Sequence, residues 1–251
     1  MTVEFNLSGR TALVTGASSG FGRHFAKVLA GVGASVILAA RREAMLEDVV
    51  TEIEAEGGSA RAIRLDVSRD EDVRAAFEDM PVLDIVVNNA GVGGMGRSLE
   101  FEHADWRNIY DVNVHGAWSV AQHAARAMVA AGRGGSIINI ASITGARPGY
   151  NTAAYSSSKA AVTHMTRSLA AEWARHNIRV NAIAPGYFLT EMTTGLDDTN
   201  YGKAMMQRIP QGRFGDLPDL DGPLLLLASD LSRYMTGSVV VVDGGHVCSP
   251  L

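Results

Sequence analysis

Tyr155-Ser-Ser-Ser-Lys159 sets a phenol and an ammonium four residues apart, which on a helix means the same face, one turn on. A tyrosine ordinarily ionises near pH ~10, too high to exchange protons usefully at neutral pH, and a neighbouring cation favours the phenolate. The pair therefore suits general acid–base work on a substrate oxygen. With six tyrosines and three lysines in 251 residues, chance supplies such a spacing in roughly one chain in fourteen. Ser142 follows a β-rich run, Ser136–Ile140, and its hydroxyl can donate to the same oxygen as charge develops there. A serine in a loop is more often a cap; its place at the end of a strand singles it out.

Thr15-Gly16-Ala17-Ser18-Ser19-Gly20-Phe21-Gly22 follows the first β-rich run and opens a helical pattern. Glycines there permit a tight turn and a close approach to a pyrophosphate, which the first N–H groups of the helix face. In a chain with 27 glycines an ordinary turn is the competing reading. The second β-rich run ends Leu38-Ala39-Ala40-Arg41-Arg42, where a fold preferring NAD usually places a carboxylate against the ribose diol. Ala40 leaves room, and Arg41 with Arg42 offers forked donors to a 2′-phosphate. The expected cofactor is NADP, with NAD as the alternative; a solvated arginine pair starting a helix is the bland reading.

These groups need a scaffold. Seven β-rich runs recur, at Thr11–Thr15, Ser35–Ala39, Ala60–Leu65, Leu83–Asn88, Ser136–Ile140, Ile178–Ile183 and Ser238–Val242. Helical patterns lie between them at about 20–32, 42–56, 69–79, 102–131, 153–176 and 218–229, long enough for right-handed crossovers between parallel strands. Continuously apolar runs such as Ile85-Val86-Val87 suit strands covered on both faces. The expected fold is α/β: a doubly wound (Rossmann), mostly parallel seven-stranded sheet with helices on both faces, whose ligand lies beyond the carboxyl ends of the strands. Residues 1–251 read as one domain, with a lid at about 187–217 punctuated by Gly195, Gly202, Pro210, Gly212 and Gly215.

Composition excludes several classes. Hydrophobic residues at 47% and charged residues at 20% describe an ordinary globular chain. A net charge of -5 gives no field for nucleic acid. No apolar run is long enough to span a bilayer, and the first ten residues lack a signal-like apolar region, so a cytoplasmic protein is expected. Cys248 is the single cysteine and the seven histidines are scattered, so neither a disulfide within the chain nor a catalytic metal is expected.

Thr15–Gly22, Asn88-Asn89-Ala90-Gly91, Ser142, Tyr155-x-x-x-Lys159 and Pro185-Gly186 together resemble the motif set of the short-chain dehydrogenase/reductase family, from about Gly9 to Gly245. The resemblance implies hydride transfer between a nicotinamide cofactor and a carbonyl or secondary alcohol. Tyr155 is then the general acid/base, Ser142 orients the carbonyl, and Lys159 lowers the Tyr155 pKa and bonds the nicotinamide ribose. Asn113 matches the fourth catalytic member, which holds a water linking Lys159 to solvent. Asp66 and Val67 contact adenine, Asn89 braces its turn and the ribose, and Thr190 meets the carboxamide. Ala90, Gly91, Pro185 and Gly186 complete the cofactor site, and a homotetramer is implied, a dimer being the alternative.

Tyr187, Phe188, Met192, Met205, Met206, Ile209 and Phe214 give the lid an apolar character, which favours a hydrophobic ketone or 3-oxoacyl-type substrate. The competing reading packs half of them into the core. Met95, Ile143, Tyr150 and His246 are expected wall residues, and Arg133 and Arg175 are basic candidates for a carrier-bound substrate. Two rivals remain. Gly16-Ala17-Ser18-Ser19-Gly20 also fits a nucleophile elbow, with Asp243 and His246 following in hydrolase order, although too little chain precedes Ser18 to supply the second oxyanion donor. A non-catalytic dinucleotide sensor is the other, and it has no need of Ser142, Asn113, Tyr155 and Lys159 together.

Overall fold

The computed structural model describes residues 5–190, 195 and 197–248; Met192 lies outside them. Seven strands, β1 (Thr11–Thr15), β2 (Ser35–Ala40), β3 (Ser59–Arg64), β4 (Ile85–Asn88), β5 (Gly135–Ile140), β6 (Ile178–Pro185) and β7 (Val239–Val242), form one sheet. Its order is β3-β2-β1-β4-β5-β6-β7, and every neighbouring pair is parallel. The chain runs outwards from β1 to β3, then returns to place β4 on the other side of β1. This reversal opens a crevice beyond β1 and β4, where an open α/β sheet binds its ligand.

Successive residues of each central strand feed opposite cores, which is why no polar alternation is visible in the sequence. Ala12, Val14, Val36, Leu38, Val87 and Ile138 join one core, with Phe25 and Leu29 of α1 (Gly20–Gly31) and Leu224 and Leu227 of α8 (Asp221–Ala228). Leu13, Ile37, Val86 and Ile137 join the other, with Val120, Ala124 and Met128 of α5 (Ala117–Ala130) and Leu169 of α6 (Ala153–Trp173). Each large side chain removed from water contributes about 1.5–3 kcal/mol before the entropy of ordering the chain is counted.

The remaining helices are α2 (Glu43–Ala55), α3 (Asp70–Glu78), α4 (His103–Tyr110) and α7 (Asn200–Met206). The single helix expected over 102–131 is broken: a π-helical turn, Asp111–Gly116, separates α4 from α5. There Asn113 is bonded to Val92 and Ser158, anchors outside the helix that hold the backbone in a wide turn of the kind found at functional sites. The pattern at 218–229 begins as a 3-10 turn, Leu217–Leu220, ahead of α8, and the lid carries α7.

At the amino ends of the strands Asp84, 4% exposed, receives Arg10, Arg133 and the Thr11 N–H. Arg133, expected near the site, is thus at the opposite end of the sheet. Arg175 lies in the turn after α6, lining a surface groove with Trp173 and Trp118. Among the described residues no helix is long and apolar enough to cross a membrane.

Candidate active site

A cavity of about 530 Å³ lies beyond the carboxyl ends of the strands. Gly16, Ser18, Ser19, Gly20 and Phe21 line it from the β1–α1 turn, Arg41 and Arg42 from the end of β2, and Asp66 and Val67 from the end of β3. Asn89, Ala90 and Gly91 follow β4, Ser142 follows β5, Tyr155 and Lys159 project from α6, and Pro185, Gly186 and Thr190 follow β6. Residues from six strand ends therefore share one cavity. Thr15, Gly22 and Asn113 do not line it.

Thr15 lies beneath the floor. It is 1% exposed, and its hydroxyl accepts the N–H groups of Asn89 at 3.1 Å and Ala90 at 3.0 Å. The Asn89 amide donates back to the Thr15 carbonyl at 2.9 Å, so the two turns brace one another. Gly16 has a φ of +66°, and a Cβ there would stand 2.9 Å from the Ala90 Cα. A Cβ on Gly22 would stand 2.2 Å from the Gly16 carbonyl oxygen, a backbone contact that cannot give. The glycines thus pack α1 against the β4 turn and keep the turn open to the cavity.

Helix α1 has no acidic residue in its first turn, and Ser19 makes no side-chain cap. Its N-terminus is thus a place where an anion would be favoured. The Arg42 guanidinium donates to the hydroxyls of Ser18 and Ser19 at 3.0 Å each, joining the end of β2 to the phosphate turn. Arg41 acts on Asp66; burial opposes the ionised form of that carboxyl, but the Ser68 hydroxyl and N–H, with Arg41 and Arg69, hold it below the ordinary carboxylate range. An open turn, helix N–H groups, two arginines and no carboxylate at Ala40 fit a dinucleotide bearing a 2′-phosphate.

At the other end the reacting groups meet. Tyr155 stands in the first turn of α6, and Lys159 follows one turn later. The Lys159 ammonium lies 5.7 Å from the centre of the Tyr155 ring and donates to the Ile140 carbonyl at 2.8 Å. Burial pushes Lys159 down to about 8. Burial also raises Tyr155, while a hydrogen bond from Ser142 lowers it and Tyr187 raises it. The sequence leads one to expect a phenol lowered by Lys159; in the folded chain burial is the largest influence, the Ser142 hydrogen bond opposes it, and the protonated phenol is favoured. Ser142, 9% exposed, caps its own loop by accepting the Thr144 N–H at 3.2 Å.

Asn113, 1% exposed, accepts the Val92 N–H at 2.8 Å and donates to the Val92 carbonyl and the Ser158 hydroxyl, each at 3.0 Å. It ties the β4 turn to the helix that carries Tyr155 and Lys159. Ser158 as its partner was not evident in the sequence, because it is one of three consecutive serines.

The walls differ from expectation. Met205, Ile209 and Phe214 form a buried cluster within the lid, with Tyr187, Leu189 and Met206 against it; of the expected apolar lid residues that the structure describes, only Tyr187 and Phe188 line the cavity. Met95 and Tyr150 are 74% and 95% exposed, and Ile143 is buried in the turn after Ser142. His246 stands behind Tyr187, their rings 5.5 Å apart. No hydrolase triad assembles among the described residues: Ser18 accepts from Arg42, Asp243 accepts the N–H groups of Gly245 and Val247, and His246 Nδ1 has no partner.

Residues 16–246 match the family profile described as enoyl-(acyl carrier protein) reductase. The chain is 41% identical to gluconate 5-dehydrogenase of Gluconobacter oxydans over 98% of its own length and 97% of that protein. It is 39% identical to 2-dehydro-3-deoxy-D-gluconate 5-dehydrogenase of Bacillus subtilis, over 96% of each. Among solved structures it superposes with a TM-score of 0.93, at 36% identity and over 98% of each chain, on a gluconate 5-dehydrogenase from Burkholderia cenocepacia in complex with NADP and tartrate.

Proposed function

This chain belongs to the short-chain dehydrogenase/reductase family, and we propose that it oxidises a secondary alcohol, or reduces the corresponding ketone, on a small polyhydroxylated substrate with NADP(H). The bound nicotinamide supplies the hydride in reduction and accepts it in oxidation. Arg41 and Arg42 bind the 2′-phosphate, the N-terminus of α1 binds the pyrophosphate, and Asp66 with Val67 meets the adenine. Asn89, Ala90 and Gly91 support the ribose, Thr190 meets the carboxamide, and Pro185-Gly186 turns the chain beside it.

Ser142 and Tyr155 both donate to the substrate oxygen in reduction, and the Tyr155 hydroxyl passes its proton to that oxygen as the carbonyl becomes an alcohol. In oxidation the Tyr155 oxygen takes the alcohol proton. Lys159 bonds the nicotinamide ribose and faces the Tyr155 ring. Asn113 fixes α6 against the β4 turn and, as the resemblance implies, supports the water through which protons are replenished.

The observation that carries this reading is one cavity with two arginines at the end of β2, Ser142 after β5 and Tyr155 with Lys159 on α6. A small polyhydroxylated substrate is supported by the relatives' named activities and by the lid, whose buried apolar side chains cluster with one another rather than along the cavity. The exposed Trp118 and Val129 on α5 support a homotetramer closed through α5 and α6, and we assign the enzyme to the cytoplasm.

Fluorescence titration with NADPH and NADH, then turnover on sugar acids, polyols, hydrophobic ketones and 3-oxoacyl thioesters, tests the proposal. Tight NADPH binding with turnover of polyhydroxylated compounds is the expected result. Failure to bind either nucleotide overturns it, and turnover confined to hydrophobic or 3-oxoacyl compounds returns the substrate to the class that the sequence favours.

A further inference from the structure

Beside Tyr187, just outside the lining of the cavity, stand two arginines that no carboxylate of the described chain pairs. Tyr187 lines the cavity, and its ring packs 5.5 Å from that of His246. The segment after α7 closes on this pair. Gln211 N–H donates to the Gly244 carbonyl at 3.1 Å, and a Cβ on Gly245 would stand 3.1 Å from the Pro210 ring. That docking brings Arg208, two residues before Pro210, to the same place, where its charge acts on both Tyr187 and His246.

Arg147 arrives from the other side. Its N–H bonds the Ile143 carbonyl at 2.9 Å, just beyond Ser142, and its charge also acts on His246. Both arginines are exposed, and among the described residues neither side chain has a hydrogen bond or an ion pair. Asp243, the one carboxylate that acts on His246, already accepts the N–H groups of Gly245 and Val247 at 2.8 Å each. His246 Nδ1 is buried without a partner.

In a chain whose net charge is -5, an uncompensated pair of guanidinium groups beside the wall residue Tyr187 draws anions towards the reacting cavity. Guanidinium forks match the two oxygens of a carboxylate. We propose that Arg147 and Arg208 bind the carboxylate of the substrate, so that the enzyme selects sugar acids over neutral polyols. This rests on the reaction proposed at Tyr155 and narrows its substrate to an anion. With its acid end held at this rim, the substrate turns its distal carbons towards Tyr155 and Ser142, and the same contact selects which secondary hydroxyl reacts.

The test compares D-gluconate with D-glucitol, which carries a hydroxymethyl group in place of the carboxylate, on the parent and on Arg147→Ala, Arg208→Ala and the double variant. Nucleotide binding and thermal melting check that each variant is folded. The ratio of kcat/KM for the acid to that for the polyol should fall about tenfold to a hundredfold in each single variant, mostly through KM for the acid. Lysine at either position should restore part of the loss. A ratio that stays within about twofold of the parent, or a parent that prefers the polyol, overturns the carboxylate site.

Calorimetric titration of D-gluconate into the protein–NADPH complex separates the two proposals. Gluconate binding that depends on the arginines, without turnover of any substrate, overturns the reaction and leaves the anion site standing. Gluconate binding that survives in the double variant overturns the site.

Discussion

The Lys159 ammonium is fixed to the Ile140 carbonyl at 2.8 Å and stands 5.7 Å from the centre of the Tyr155 ring. One cation thereby joins the end of β5 to the helix that carries the phenol. Its burial is costly when charged, and that cost has a pH signature.

Lys159 is 5% exposed and is pushed from 10.5 down to about 8. Below pH ~8 both the folded and unfolded chains hold this proton, and the cost of burying the charge is fully present. As pH rises from about 8 towards 10.5 the folded chain loses the proton while the unfolded chain keeps it, so stability from this group increases. The whole effect is about 3 kcal/mol. Urea unfolding of the parent and Lys159→Met should give curves whose separation shifts in the parent's favour by up to that amount across the window. A separation constant with pH would show that Lys159 is not titrating in the folded chain.

Tyr155→Phe should keep NADPH binding and lose about 10²–10⁴-fold in kcat. Because burial favours the protonated phenol, ketone reduction by the parent should proceed well at neutral pH. Alcohol oxidation needs the phenolate and should quicken as pH is raised. Stopped-flow rates in both directions check this, and full turnover by the phenylalanine variant would remove Tyr155 from the mechanism.

Arg41→Ala and Arg42→Ala should each weaken NADPH by about tenfold to a hundredfold, as expected for a lost charge-assisted hydrogen bond, and NADH far less. Arg42→Ala should also loosen the phosphate turn, because its guanidinium bonds Ser18 and Ser19. Fluorescence titration reads both effects. Equal losses for the two nucleotides would mean that neither arginine meets a 2′-phosphate.

Asp84→Ala removes the acceptor of the Thr11 N–H and the partner of Arg10 and Arg133. Both arginines are about half exposed and regain water, so the loss should be about 1–3 kcal/mol. Asp84 lies at the amino ends of the strands, away from the cavity. Thermal melting should therefore shift while KM for either substrate stays within about twofold; a large change in KM would show that the two ends of the sheet are coupled.

Much of the site was legible because its chemistry is local. Tyr155 and Lys159 sit one helical turn apart, the glycines of the first turn follow their strand directly, and Arg41 and Arg42 follow the next. Period, spacing and turn chemistry act over a few residues, and the alternation of apolar runs with helical patterns was enough for a doubly wound sheet. Boundaries were less legible: the turn at Asp111–Gly116 depends on Asn113 reaching Val92, 21 residues away, which no local pattern records.

How distant groups meet and how they are solvated is settled by packing rather than by local pattern. Burial, not the neighbouring ammonium, governs the direction of the Tyr155 shift, because desolvation depends on everything packed around the phenol. Thr15 and Gly22 proved to be packing partners of the β4 turn. Met205, Ile209 and Phe214 of the lid turned inwards to cover one another, and Arg147 and Arg208, from separate segments, came within reach of His246. Short-range spacing carried the fold class and the pairing of Tyr155 with Lys159; docking of the segment after α7 against the last loop decided which charges lie near Tyr187, since that depends on contacts between residues far apart in the chain.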